Sequence, residues 1–267
     1  MSASPRDLVV ASNAEPDAEG RLALVTPESA GWVHVGFEVL RLHRGRRLER
    51  PTAGREVCAV LLSGRADISF GGVQWPDVGG RESVFEGLPH SCYAPPGGTL
   101  GVAAVTATVE VALCWAPARR GAAPALIAPT DVTVSTRGGG DTERTIRDIL
   151  MESRPAESLL VTEVLTPAGH WSSFPPHKHD TDDLPREARL EETYYHRMRR
   201  PGGGAVQLAY TDDRSLDAAV HVRDGDVVLV PRGYHPVGAE PGCDLYYLNV
   251  MAGPVRRWQV TIDPAYR

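Results

Sequence analysis

Apolar residues in this chain come in short runs rich in Val, Ile, Leu, Thr and Tyr, each stopped by glycine or proline, and that punctuation favours strands over helices. Residues 33–40, 58–62 and 226–230 are examples. The 27 glycines and 22 prolines are scattered as turn residues rather than gathered in tracts. The spacing therefore predicts an all-β protein, a sandwich or barrel. One segment stands apart. In residues 142–151, Ile146, Ile149 and Leu150 fall at helical spacing, and Asp141 can cap them after the glycine turn 138–140, so a helix is expected there.

The chain has 267 residues, enough for one large domain or two ordinary ones, and its halves resemble each other. Residues 56–64 form a strand running into a glycine turn, and residues 192–197 begin in the same way. Some thirty residues on, each is followed by a Pro/Gly turn, at 88–97 and 230–236. Two β-barrels on one plan are expected, residues 1–125 and 126–267, divided by the proline-containing stretch 117–129. A net charge of −6 argues against nucleic acid or an anionic membrane as partner, and no apolar stretch approaches the ~18 residues of a membrane span. The four cysteines lie far apart without a CxxC pair and the start lacks an export signal, so buried thiols and a cytoplasmic location are expected.

Chemistry concentrates between His170 and His235. In His177-Lys178-His179 the two imidazoles are two residues apart, so an extended strand turns both to one face. The same alternation puts Glu192, Tyr194 and His196 on one face and Glu191 on the other. His235 sits in the turn Pro231-Arg232-Gly233-Tyr234-His235. Three neutral imidazoles and a carboxylate suit one divalent metal ion, Zn or Mn first and Fe or Ni next, with a position left for substrate. His196 lies roughly 13 Å along the strand from Glu192, too far to join that shell.

These residues resemble the cupin superfamily, whose two motifs carry an HxH pair with Glu and then a PxG turn with His. Residues 169–180, 190–195, 230–237 and 244–254 resemble, more closely, the 5-deoxy-glucuronate isomerase family of inositol catabolism, and the likeness extends to Arg137-Gly138-Gly139-Gly140. The resemblance implies a bicupin with the metal held in the second barrel by His177, His179, Glu192 and His235. It implies the conversion of 5-deoxy-glucuronate to 5-dehydro-2-deoxy-gluconate. Two features depart from the general cupin pattern. Twelve residues separate His179 from Glu192, where most cupins have three or four, and the first half has no HxH, so its barrel is expected to be metal-free.

An aldose–ketose isomerase needs a Lewis acid and a group that moves protons on one face of an enediol. Tyr194, one pleat beyond Glu192, and Tyr247 are the candidate catalytic residues. Tyr234, Lys178, Arg186 and Arg189 are candidates for binding substrate, the last three through its carboxylate. The partner is then a small sugar acid, and the valine- and glycine-rich first barrel offers edges for a homo-oligomer. Three alternatives remain open: an isomerase of 4-deoxy-5-keto-uronate, a cupin dioxygenase, and a non-catalytic sugar-binding bicupin.

Overall fold

Alternation of burial along the strands shows where each sheet sits. Asp217–Arg223 alternates strictly between exposed and buried, the mark of a strand with one wet face. Leu245–Ala252 is buried at every position, as a central strand covered on both sides must be. A computed structural model describes residues 5–267 and is nearly all β. The α-helix Pro27–Ala30 is a single turn, capped by the Thr26 side chain and ended by Gly31 in the left-handed region. Among the described residues no helix is long and apolar enough to cross a membrane.

The chain divides into two units. One comprises Asn13–Thr133 and Asp148–Val161; the other comprises the described residues up to Ser12, Val134–Arg147 and Thr162–Arg267. In the first, a six-stranded sheet runs in the order Ala125–Ile127, Ser91–Ala94, Arg55–Ser63, Thr108–Pro117, Gly36–His43, Arg21–Val25. A four-stranded sheet, Arg47–Pro51, Thr99–Ala104, Arg65–Phe70, Val73–Gly79, completes it. Leu61, Ile68, Leu100, Val111 and Leu113 lie in its core. Cys58, Cys92 and Cys114 are buried there as free thiols, and Cys243 is a free buried thiol of the other unit.

The second unit repeats this order. Its large sheet runs Val9–Val10, Val227–Val230, Glu191–Met198, Leu245–Ala252, Leu160–Thr166, Arg144–Leu150, Thr133–Arg137. Its four-stranded sheet is Trp171–Ser172, Val237–Ala239, Gly204–Tyr210, Asp217–Arg223. A short ribbon pairs His177–Lys178 with Thr261–Ile262, setting His177 opposite Ile262. The core includes Val164, Tyr194, Val220, Val230 and Tyr247.

The helix expected over 142–151 is not formed. A single 3-10 turn covers Gly140–Thr142 and residues Arg144–Leu150 are a strand. Apolar residues at 146, 149 and 150 satisfy helical spacing and strand burial alike. Pairing within the seven-stranded sheet decided between them, as tertiary context commonly overrides a short local pattern.

Candidate metal centre

The strand Glu191–Met198 sets the site's phase. It lies between Val227–Val230 and Leu245–Ala252, with Glu192 opposite Met251, Tyr194 opposite Asn249 and His196 opposite Tyr247. Glu192, Tyr194 and His196 therefore point inward together with Asn249 and Tyr247. The Tyr194 and Tyr247 rings are 4.9 Å apart, and Tyr194 stacks at 5.9 Å on His196. His179 is clamped from both sides: its carbonyl accepts the Leu190 N–H at 2.9 Å, and its Nδ1 lies 3.1 Å from Leu190 O. His235 follows Gly233, whose φ of 83° and approach to the Tyr210 carbonyl, 2.3 Å from where a Cβ would stand, exclude any side chain.

Three buried side chains, His179, Glu192 and His235, bring one donor atom each to within 4.8 Å of one another. Their protonation follows from their outer partners. The Nδ1 of His179 meets Leu190 O at 3.1 Å, that of His235 meets Gly233 O at 2.8 Å, and that of His177 meets Pro175 O at 3.3 Å. A carbonyl can only accept, so in each ring Nδ1 carries the proton and Nε2 of the neutral ring presents a lone pair. Those of His179 and His235 lie 2.9 and 3.2 Å from Glu192 Oε2. His235 Nε2 is buried without a hydrogen-bond partner. Lone pairs facing a carboxylate repel unless a cation, a proton or a metal ion, lies among them. The donor set thus fits a divalent metal.

The electrostatics agree. The Glu192 carboxyl is held at about 2, although burial pushes it upward, because the His179 and His235 rings lie against it. Burial pushes His179 down, but the contact with Glu192 more than reverses this and raises it. His177 is pushed down to about 3, by burial and then by its two imidazole neighbours, so it is neutral. Its ring is 5.0 Å from that of His235 and 6.3 Å from that of His179, beside the tight cluster rather than within it. Trp258 packs edge-on against it at 6.0 Å.

The tyrosines differ in their surroundings. The buried Tyr194 hydroxyl lies 2.8 Å from Ser173 Oγ, and its ring is 5.8 Å from His235. Burial and then the Glu192 charge hold this phenol well above its usual range, so it stays protonated. Tyr234 donates to Asp212 at 2.8 Å. Lys178 is taken up by Asp212 at 2.8 Å and Asp180 at 3.7 Å. Arg186 is exposed and pairs with Asp183, and Arg189 is exposed as well. The excursion that carries them is folded on itself, its buried Glu187 accepting the N–H groups of Asp180 and Thr181. His196 donates or accepts at 3.0 Å with Gln207 and stays outside the cluster of His179, Glu192 and His235.

Sequence reasoning missed Asn249, whose Nδ2 donates to Glu192 Oε1 at 2.6 Å and so fixes the carboxylate. The signal was present: Tyr247 and Asn249 are two apart on a strand, the same inward phase as Glu192 and Tyr194.

Two sheets closing a barrel, with imidazoles from an HxH segment and a PxG turn around a strand-borne glutamate, define a cupin, and the other unit repeats the two-sheet plan without an HxH. Residues 8–267 match the KduI/IolB family, and the chain belongs to it. It is 53% identical over 259 residues to the 5-deoxy-glucuronate isomerase of Geobacillus kaustophilus HTA426, covering 96% of this chain and 93% of that protein. With the 5-deoxy-glucuronate isomerase of Bacillus subtilis 168 it shares 43% identity over 244 residues, 91% of this chain and 90% of the relative. A solved IolB-like protein of Salmonella typhimurium LT2 superposes with a TM-score of 0.94 at 43% identity, covering 97% of each chain. Oxalate decarboxylase of Lactobacillus farciminis, at 12% identity with a TM-score of 0.67 over 96% of this chain and 88% of that one, is similar in fold.

Proposed function

We propose that this chain is a metal-dependent isomerase that converts 5-deoxy-glucuronate to 5-dehydro-2-deoxy-gluconate in myo-inositol catabolism. The observation that carries the reading is the set of imidazoles whose Nδ1–H groups are spent on backbone carbonyls, two of them aiming Nε2 at the buried Glu192 carboxylate. His179, Glu192 and His235, with His177 as fourth, would hold one divalent ion, Zn or Mn before Fe or Ni. Bound there, the ion supplies Lewis acidity toward the aldehyde and its neighbouring hydroxyl. Membership of the family, with relatives named 5-deoxy-glucuronate isomerase, supports this substrate.

The chain's own residues have separable tasks. Tyr194, protonated and paired with Ser173, donates to a substrate oxygen as charge develops there and refills its proton through the serine hydroxyl. Tyr247 packs on it and is the second candidate for touching substrate. Asn249 keeps Glu192 from rotating, leaving Oε2 toward the imidazoles. The unit built on Asn13–Thr133 is assigned structural duties without metal.

The reading is tested by incubating metal-loaded protein with 5-deoxy-glucuronate in deuterated water and following the carbons by NMR. Loss of the aldehyde with growth of a ketone, and deuterium at the new hydroxymethyl carbon, is expected. An unchanged aldehyde in the presence of stoichiometric Zn or Mn would refute it.

A further inference from the structure

We propose that Arg144 receives the carboxylate of the substrate, an inference that rests on the isomerase reading above. The strand Arg144–Leu150 settles which way the side chain faces. Ile146 lies in the barrel core with Val164, Tyr194 and Tyr247. Arg147, on the opposite face, is paired at 2.9 Å with Glu163, whose other oxygen accepts from Tyr246 at 2.9 Å. Two residues before Ile146, Arg144 shares its inward phase.

Arg144 is half-buried and its Nη1 donates to Thr142 O at 2.9 Å. Gly138 makes this possible: at φ 79° its Cβ would stand 2.1 Å from Thr142 O and 2.7 Å from the guanidinium. His170 pins the same loop through Nδ1 to Glu143 O at 3.0 Å. The guanidinium is thus held in place before any ligand arrives. No carboxylate among the described residues pairs with it, and burial pulls it below its ordinary range while its charge reaches the phenols of Tyr247 and Tyr194. A desolvated cation without a counter-ion is costly, and an incoming anion removes that cost. Arg137, in the same loop and stacked at 5.3 Å over Trp258, adds a second positive charge nearby.

The charge of 5-deoxy-glucuronate lies at the opposite end of its chain from the aldehyde. The Tyr194 and Tyr247 phenols feel the Glu192 carboxylate and the Arg144 guanidinium alike, so one pair of tyrosines lies within reach of both the donor cluster and the cation. In a chain of net charge −6, recognition of an acid must be local. Lys178 and Arg186 already have carboxylate partners.

The test compares metal-loaded wild type, Arg144→Gln and Arg144→Lys on 5-deoxy-glucuronate and on its uncharged C6 amide, with metal content measured on each. The wild type is expected to prefer the acid, and Arg144→Gln to lose about 10²-fold of that preference while keeping its metal. Arg144→Lys should recover part of it, with the loss in KM rather than kcat. If acid and amide fall together in Arg144→Gln, or neither falls, the assignment is overturned. Wild type inactive on both compounds would instead overturn the isomerase reading, and this assignment with it.

Discussion

Each unit carries a buried glutamate as the second residue of a corresponding strand, Glu56 in Arg55–Ser63 and Glu192 in Glu191–Met198. Their surroundings are opposite. Glu56 is saturated with donors: Tyr93 OH at 2.5 Å and the N–H groups of Glu157, Ser158 and Leu159 at 2.9, 2.6 and 2.6 Å. Glu192 has one amide donor on one oxygen and two imidazoles crowding the other. A carboxylate ringed by N–H and O–H groups is a fastening; one with an oxygen turned to two imidazole nitrogens has the donor set that suits a cation.

Exchanging either carboxylate for its amide should separate the two roles. Glu192→Gln is expected to lose bound metal and to lower turnover by about 10³-fold or more, read by elemental analysis and steady-state rates. Glu56→Gln should keep metal stoichiometry and instead lower unfolding stability by about 1–3 kcal/mol in urea. Metal loss in the Glu56 variant, or full activity in the Glu192 variant, would erase the contrast. Tyr194→Phe should retain metal while kcat falls by about 10²-fold, and an unaltered kcat would reduce the tyrosine to packing. Asn249→Ala should weaken metal affinity by about 10–100-fold, measured by competition with a chelator, through a carboxylate freed to rotate.

The smallest effect expected concerns His196, which burial pushes down to about 4. An unfolded histidine titrates near 6.5, so between about 6.5 and 4 the unfolded chain binds a proton that the folded one refuses. This group's contribution is therefore lost as pH falls through that window, by on the order of 3 kcal/mol at most. Metal-stripped His196→Met should show a shallower decline of urea midpoint from pH 7 to 4.5 than metal-stripped wild type. Parallel declines would rule the group out.

Much of the site was legible because it rests on period-two alternation. The shared phase of Glu192, Tyr194 and His196 and the glycine turn before His235 are such local patterns, whereas the HxH spacing puts both imidazoles together and His177 lies beside the cluster of His179, Glu192 and His235; the repeated strand order follows from two similarly punctuated halves. What escaped was set by pairing between distant strands. Asn249 is a neighbour of Glu192 only through the register of Glu191–Met198 with Leu245–Ala252. Arg144 was hidden by the helix expected over 142–151, since a residue's inward phase on a strand cannot be read from a helical wheel. Nearness in sequence to the HxH pair drew attention to Arg186 and Arg189, which lie on an excursion facing solvent.

The ribbon that sets His177 against Ile262 has a consequence for synthesis. The HxH segment leaves the ribosome long before the residues that brace it, and Gln259, which accepts the Ala188 N–H, follows just as late. Until that stretch emerges His177 has no partner strand and the Ala188 N–H no acceptor, so this edge of the site forms after Leu190 and Gly233 have already clasped His179 and His235. A nascent chain halted before residue 255 would carry His177 without the strand it pairs with.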